Sequence, residues 1–119
     1  MVKIMDVLKD TSKFTKLVCK VSGVTFDGRQ EVIKKMTKDT MVFVDADVGN
    51  QYDRHAVKVY ALLDGELEDV GFVPSSINET LFNLLLTGVE METTLVGISQ
   101  PKTDKDFYGL RISIDVKNE

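Results

Sequence analysis

Asn50-Gln51-Tyr52-Asp53-Arg54-His55 sets two amides, an aromatic ring, a carboxylate, a guanidinium and the chain's single histidine in consecutive positions. Gly49 and Asn50 tolerate the backbone angles of a turn, so the group sits on a loop, where a rigid scaffold commonly carries binding or catalytic side chains. The plain structural role is a solvated turn in which Tyr52 leans on the scaffold wall and Asp53 caps a backbone amide. His55 could act as a base, but a base needs a nucleophile or substrate proton within reach. No nucleophile elbow, Gly-rich phosphate loop or His-Glu-x-x-His pair occurs in the sequence. The pairs Asp45/Asp47 and Glu66/Glu68 flank turns, where carboxylates mostly keep a surface soluble. One cysteine and one histidine are too few for an all-protein N/S zinc site. The residues read as a binding surface, with no enzyme activity, metal or cofactor expected.

The elements that must position this loop follow from hydrophobic period. Phe14–Val21 alternates, with Leu17, Cys19 and Val21 facing in and Lys16, Val18 and Lys20 facing out, as a half-buried strand does. Asp27, with Gln30 three residues on, has the pattern of a capping box opening a short helix. That helix would bury Val32, Ile33 and Met36 and leave Arg29, Lys34 and Lys35 in water. Met41–Ala46 and Ala56–Leu62 are strand-like on either side of the loop, and Asp64-Gly65 is a hairpin turn leading into Leu67–Val73. Ser76-Ile77-Asn78-Glu79 predicts a second capping box, Ile77, Leu81, Leu84 and Leu85 a buried helical stripe, and Gly88 its left-handed end. Val89–Ile98 and Tyr108–Val116 complete the set, the last with Leu110, Ile112, Ile114 and Val116 inward and Arg111, Ser113 and Asp115 outward. The order β-α-β-β-β-α-β-β predicts a mainly β fold with two short helices, a small curved sheet or partly open six-stranded barrel of the OB-like kind.

A chain of 119 residues, 43% hydrophobic and 29% charged, can build one core and one ordinary globular domain. Residues 1–12 are expected to form an arm or short helix and residues 13–119 the domain. The net charge of −4 argues against a general polyanion binder, which needs excess Lys and Arg along many phosphates. It leaves room for a site touching one or two nucleotides. No apolar run is long enough to span a membrane and nothing reads as a signal peptide, so a cytoplasmic location is expected, with Cys19 a small buried hydrophobe.

Three stretches taken together resemble the HIRAN domain family: Gly23-Val24-Thr25-Phe26-Asp27-Gly28-Arg29-Gln30, Asn50 through Val59, and Val70-Gly71-Phe72-Val73-Pro74. The middle one is the most specific and is similar to the family's Asn-Pro-Tyr-Asp-x-x-Ala-hydrophobic-x-Val signature, with Gln51 in place of proline. The resemblance runs from about Phe14 to Val116. It implies a compact β-barrel with two helices that binds single-stranded DNA and, in the best understood members, captures a free 3′ end. Those members are modules of fork-remodelling ATPases; this chain has no room for an ATPase and looks like the free-standing bacterial or phage kind.

By this resemblance Phe26 matches the stacking aromatic, Tyr52 the ring beside the end-reading carboxylate, and Asp53 that carboxylate. Asn50 would hold the loop or meet the sugar–phosphate. The family's basic residues correspond to Thr25 and Ser75 here, so Arg29, Arg54, Lys58 or Arg111 would have to supply charge. Phe26 could alternatively be a core residue stapling the first helix, and Phe107 and Tyr108 could add a second platform. The expected partners are single-stranded DNA 3′ ends and a protein in DNA repair or mobile-element processing. The rival expectation is a protein-interaction module that kept the barrel and lost the DNA site; a metal-dependent nuclease using Asp53 and His55 is a third.

Overall fold

The computed structural model describes residues 13–118, so the expected arm over residues 1–12 lies outside the described residues. The elements run β1 (Phe14–Lys20), α1 (Arg29–Lys34), β2 (Val42–Ala46), β3 (Val57–Leu63), β4 (Glu66–Phe72), α2 (Ser75–Leu86), β5 (Met91–Ser99) and β6 (Gly109–Lys117). This is the order expected from hydrophobic period, with boundaries within a few residues.

The strands form two three-stranded antiparallel sheets, β1-β6-β5 and β2-β3-β4, rather than one closed barrel. They enclose a core of Val57, Val59, Ala61 and Val70 from one sheet and Leu110, Ile112 and Ile114 from the other, with Ile33 of α1 and Leu81 of α2. One corner joins the sheets. Val21 donates to the Leu110 carbonyl at 2.9 Å, and the next residue, Ser22, exchanges hydrogen bonds with Phe72 at 2.8 and 2.9 Å. The chain therefore passes from one sheet to the edge of the other within two residues. Gly71 lies against this crossing at φ 143, where an added Cβ would run into the Ser22 carbonyl. A register shift between Val59 and Tyr60 leaves Val70 as an extra residue in β4, and another between Leu95 and Gly97 does the same at Val96. Such bulges bend a strand and strengthen its twist.

The alternation along β1 and β6 holds for the inward residues. Ser113 departs from it: expected outward, it is buried, a small side chain on the central strand with the longer Val18 and Thr94 as its cross-strand neighbours on either side. The Asp64-Gly65 turn has both residues at positive φ, 50 and 81, the geometry a two-residue hairpin with right-handed twist requires. Gly88, at φ 83, terminates α2 as expected.

Neither capping box forms. Gly28 at φ 75 is the N-cap of α1, and Asp27 lies a residue too early, in a tight turn at φ 57. The N-cap of α2 is Pro74, with no side-chain cap. Arg29, expected in water, is 5% exposed and lies under the corner where the sheets meet.

Candidate nucleic-acid interface

The loop between β2 and β3 is built by its own side chains. Asp47 donates its N–H to the Ala56 carbonyl at 2.8 Å, closing the base. Asn50 accepts the N–H groups of Tyr52 (2.8 Å) and Asp53 (3.0 Å) on its Oδ1 and donates through Nδ2 to Asp47 at 2.9 Å. Asx side chains organise turns in this way, replacing a backbone partner with a local one. Asp53 Oδ1 accepts the His55 N–H at 2.9 Å, and Oδ2 accepts Asn78 Nδ2 from α2 at 2.7 Å. The loop is thus tied to the helix through the carboxylate. The His55 ring packs edge-on against Phe82, with centroids 5.6 Å apart. Tyr52 is left 97% exposed at the tip.

Tyr52, Asp53 and Asn78 share a cleft of about 310 Å³ with Ser22, Gly23 and Phe72. Its size is at the lower end for small-molecule sites, about 300–1,000 Å³. The wall opposite the loop is set by charge. Arg29 makes a bidentate pair with Asp69 (Nε 3.1 Å, Nη2 2.9 Å) and donates through Nη1 to the Gly23 carbonyl at 2.9 Å. Lys58 Nζ approaches the same carboxylate at 3.6 Å and Asp47 at 3.9 Å. Both cations lie over the Phe72 ring, at 5.0 Å for Arg29 and 5.6 Å for Lys58, so the ring is held in place by two positive charges. Gly23, at φ 72, has Arg29 Nη1 only 3.3 Å from where a Cβ would stand, so the guanidinium fills the space of a side chain.

Phe26 is 66% exposed on the turn between Gly23 and Gly28, which removes the core-staple alternative. It stands outside the residues lining the Tyr52 cleft, whose nearest contribution from that turn is Gly23. Gln30 clamps the turn from below. Its Nε2 donates to the Val24 and Tyr108 carbonyls at 2.9 Å each, and its Oε1 accepts the Tyr108 N–H at 2.8 Å. The Phe26 turn and the segment bearing Phe107 are thereby held as one unit.

Of the remaining expected residues, Arg54 is exposed beside Asp53, while Arg29 and Lys58 are engaged with Asp69. Thr25 and Ser75 border different clefts, and Phe107 is 60% exposed. Phe72, Asn78, Asp69 and Gln30 escaped the sequence reading as parts of the site. Phe72 stood in the third resembling stretch without a role, and Asn78 was absorbed into a capping pattern. Among the described residues no three His, Cys, Asp or Glu converge as they would to hold a metal, and no helix is long and apolar enough to cross a membrane.

Comparison with known proteins identifies the family and the fold. The model of the HIRAN domain family matches residues 15–117. A crystal structure of a protein from Lactobacillus plantarum superposes with a TM-score of 0.61 at 17% identity, covering 87% of this chain and 98% of that one, a likeness of fold. No curated protein gives a significant match.

Proposed function

The chain belongs to the HIRAN domain family, whose domains bind DNA, and on that premise we propose that it captures the free 3′-hydroxyl end of single-stranded DNA with little base specificity. The observation that carries this reading is the shared cleft: a fully exposed ring, Tyr52, adjoins a carboxylate, Asp53, already fixed in direction. An unstacked base laid on an aromatic ring gains about 1–3 kcal/mol whatever its identity, because every base has a π-face. An ionised carboxylate has about four acceptor positions, and Asp53 spends one on each oxygen, to His55 and Asn78. The others are open to a terminal hydroxyl. A charge-assisted bond of that kind is worth about 1.5–3 kcal/mol, and the same negative charge repels a 3′-phosphate.

In this reading Asn50 and Asn78 hold the carboxylate in place, and Arg29 and Lys58 fix Phe72 as the cleft floor instead of gripping phosphate. Arg54 is the cation of the loop available to the terminal phosphodiester. Phe26 and Phe107, exposed on segments joined by Gln30, offer rings for bases further from the end. A fluorescence anisotropy titration of the wild-type protein with 3′-hydroxyl and 3′-phosphate oligonucleotides tests the reading. The hydroxyl form should bind about 10- to 150-fold more tightly, the bond energy above converted to affinity. Equal affinities overturn it.

A second reading rests on a different surface. A groove of about 410 Å³ runs along β2 and β5 with Met41, Phe43, Val44 and Met91 on its walls, Met41 59% exposed. It favours a protein partner docked on the open side between the sheets. Met41→Glu should abolish that contact and leave DNA binding unchanged.

A further inference from the structure

We propose that a second cleft, on the far side of the Ser22–Phe26 segment, carries the phosphodiester backbone of the strand upstream of the captured end, through Lys20, Lys102, Lys105 and Arg111. This rests on the end-capture reading and supplies the phosphate contacts that Thr25 and Ser75 do not.

The cleft has a volume of about 460 Å³, and its walls include Val24, Thr25, Lys20, Lys102, Lys105 and Phe107. Its neighbour across the segment is the Tyr52 cleft, walled by Ser22 and Gly23. A strand ending at Tyr52 and Asp53 therefore reaches it by crossing one short turn, past the exposed Phe26. Where β6 begins, Gly109 has no side chain, and the space a Cβ would take is flanked by Ser99 at 3.6 Å and by the Lys20 stem at 3.9 Å. Gly97, opposite Arg111 in the ladder, has open space above it.

The charges are what point to a ligand. Lys20 and Arg111 are directly paired across β1 and β6 and both exposed. Like charges in that register destabilise a sheet unless an anion sits between them. Among the described residues none of Lys20, Lys102, Lys105 and Arg111 takes part in an ion pair, whereas Arg29, Lys58, Lys34 and Lys117 each do. Lys16, Lys35, Lys38 and Arg54 are without an ion pair too among the described residues; what sets this place apart, in a chain of net charge −4, is that three such cations line one cleft and Arg111 stands across the ladder from one of them. The acid within the cleft, Asp106, is turned to the loop itself: its Oδ2 accepts the N–H groups of Lys102 (3.2 Å) and Thr103 (3.0 Å). It shapes the loop that presents the lysines. Asp104, exposed between them in sequence, is not among the residues that line the cleft.

The test is the salt dependence of binding to a ten-nucleotide oligonucleotide, for wild type and for the double variant Lys102→Gln, Lys105→Gln, in 3′-hydroxyl and 3′-phosphate forms. Each phosphate neutralised on a single strand contributes about −0.7 to the slope of log K against log salt. The four contacts of this cleft predict a loss of about 50-fold in affinity between 50 and 200 mM salt, and the two that remain in the double variant about 7-fold, with Arg54 at the end adding about 2.6-fold to each. The preference for the 3′-hydroxyl should be the same in both, and the lysine effect should vanish on a dinucleotide that fills only the Tyr52 cleft. A double variant with wild-type affinity, slope and end preference overturns this inference and leaves end capture standing. A wild type that shows the lysine-dependent slope but no end preference removes end capture and keeps the cleft. No binding by the wild type removes both. Unchanged thermal unfolding of the variant excludes misfolding as the cause.

Discussion

Replacing Asp53 by asparagine separates the charge of the side chain from its place in the loop. The substituted carboxamide would keep an acceptor for the His55 N–H now held at 2.9 Å. Its amide nitrogen would face Asn78 Nδ2, now donating at 2.7 Å, so the Asn78 carboxamide must turn to present its oxygen. The structural cost is about one hydrogen bond, about 1 kcal/mol, or a fall in Tm of about 3–5 °C for a domain of this size. The effect on binding is larger and opposite for the two ends. A neutral acceptor gives about 0.5–1.5 kcal/mol where the carboxylate gives about 1.5–3. Affinity for a 3′-hydroxyl end should therefore drop about 5- to 12-fold. A 3′-phosphate near Asp53 meets a repulsion of about 1 kcal/mol per charge at 4 Å in water, and about 4 at a partly shielded site. The substitution lifts it, so the phosphate form should bind more tightly than to wild type and the preference should collapse towards unity. Anisotropy titrations of both oligonucleotides at one ionic strength measure this. A ratio equal to that of wild type, in a variant whose Tm lies within the stated range, refutes the reasoning.

Tyr52→Ala should weaken single-strand binding by about 1–3 kcal/mol, about 5- to 150-fold, with no change in Tm, since the ring is 97% exposed; an unchanged Kd by anisotropy contradicts it. Arg29→Ala should cost about 3 kcal/mol in urea unfolding with an unchanged m value, the low end for breaking a buried pair because Asp69 remains 32% exposed. A loss under about 1 kcal/mol would mean that this pair does not hold the corner. Burial pushes the Cys19 thiol above its ordinary value of 9.0, with Arg111 pulling weakly the other way. The reactive species is the thiolate, so iodoacetamide at pH 8 should label the folded protein far more slowly than the urea-unfolded chain, as read by mass spectrometry; equal rates refute it. A folded-state value above the unfolded one also means that stability from this group is intact below about pH 9 and is lost as pH rises through the folded value.

The element order was legible because it depends on local period: the inward residues of β1 and β6, the Asp64-Gly65 hairpin and the Gly88 helix end are each decided by neighbours in sequence. Tyr52 and Asp53 were legible as a unit for the same reason, being adjacent on a loop that Asn50 organises. What the sequence hides is decided by partners far along the chain. Arg29 reads as a surface cation until Asp69, forty positions away, takes its guanidinium. Gln30 reads as half of a capping box, but the Tyr108 backbone seventy-eight positions on competes for its amide and wins. Asn78 is drawn from a helix start to Asp53. The division into two sheets is likewise invisible in alternation, which reports which face of a strand is buried and not which neighbour it pairs with.

The central claim, that Tyr52 and Asp53 receive the last nucleoside of a single strand, is tested most directly by amide chemical-shift mapping with a short 3′-hydroxyl oligonucleotide. The largest shifts are expected at Ser22, Gly23, Tyr52, Asp53, Phe72 and Asn78, much reduced when the end carries a phosphate. Shifts centred on Met41, Phe43 and Met91, or the same pattern for both ends, would contradict it.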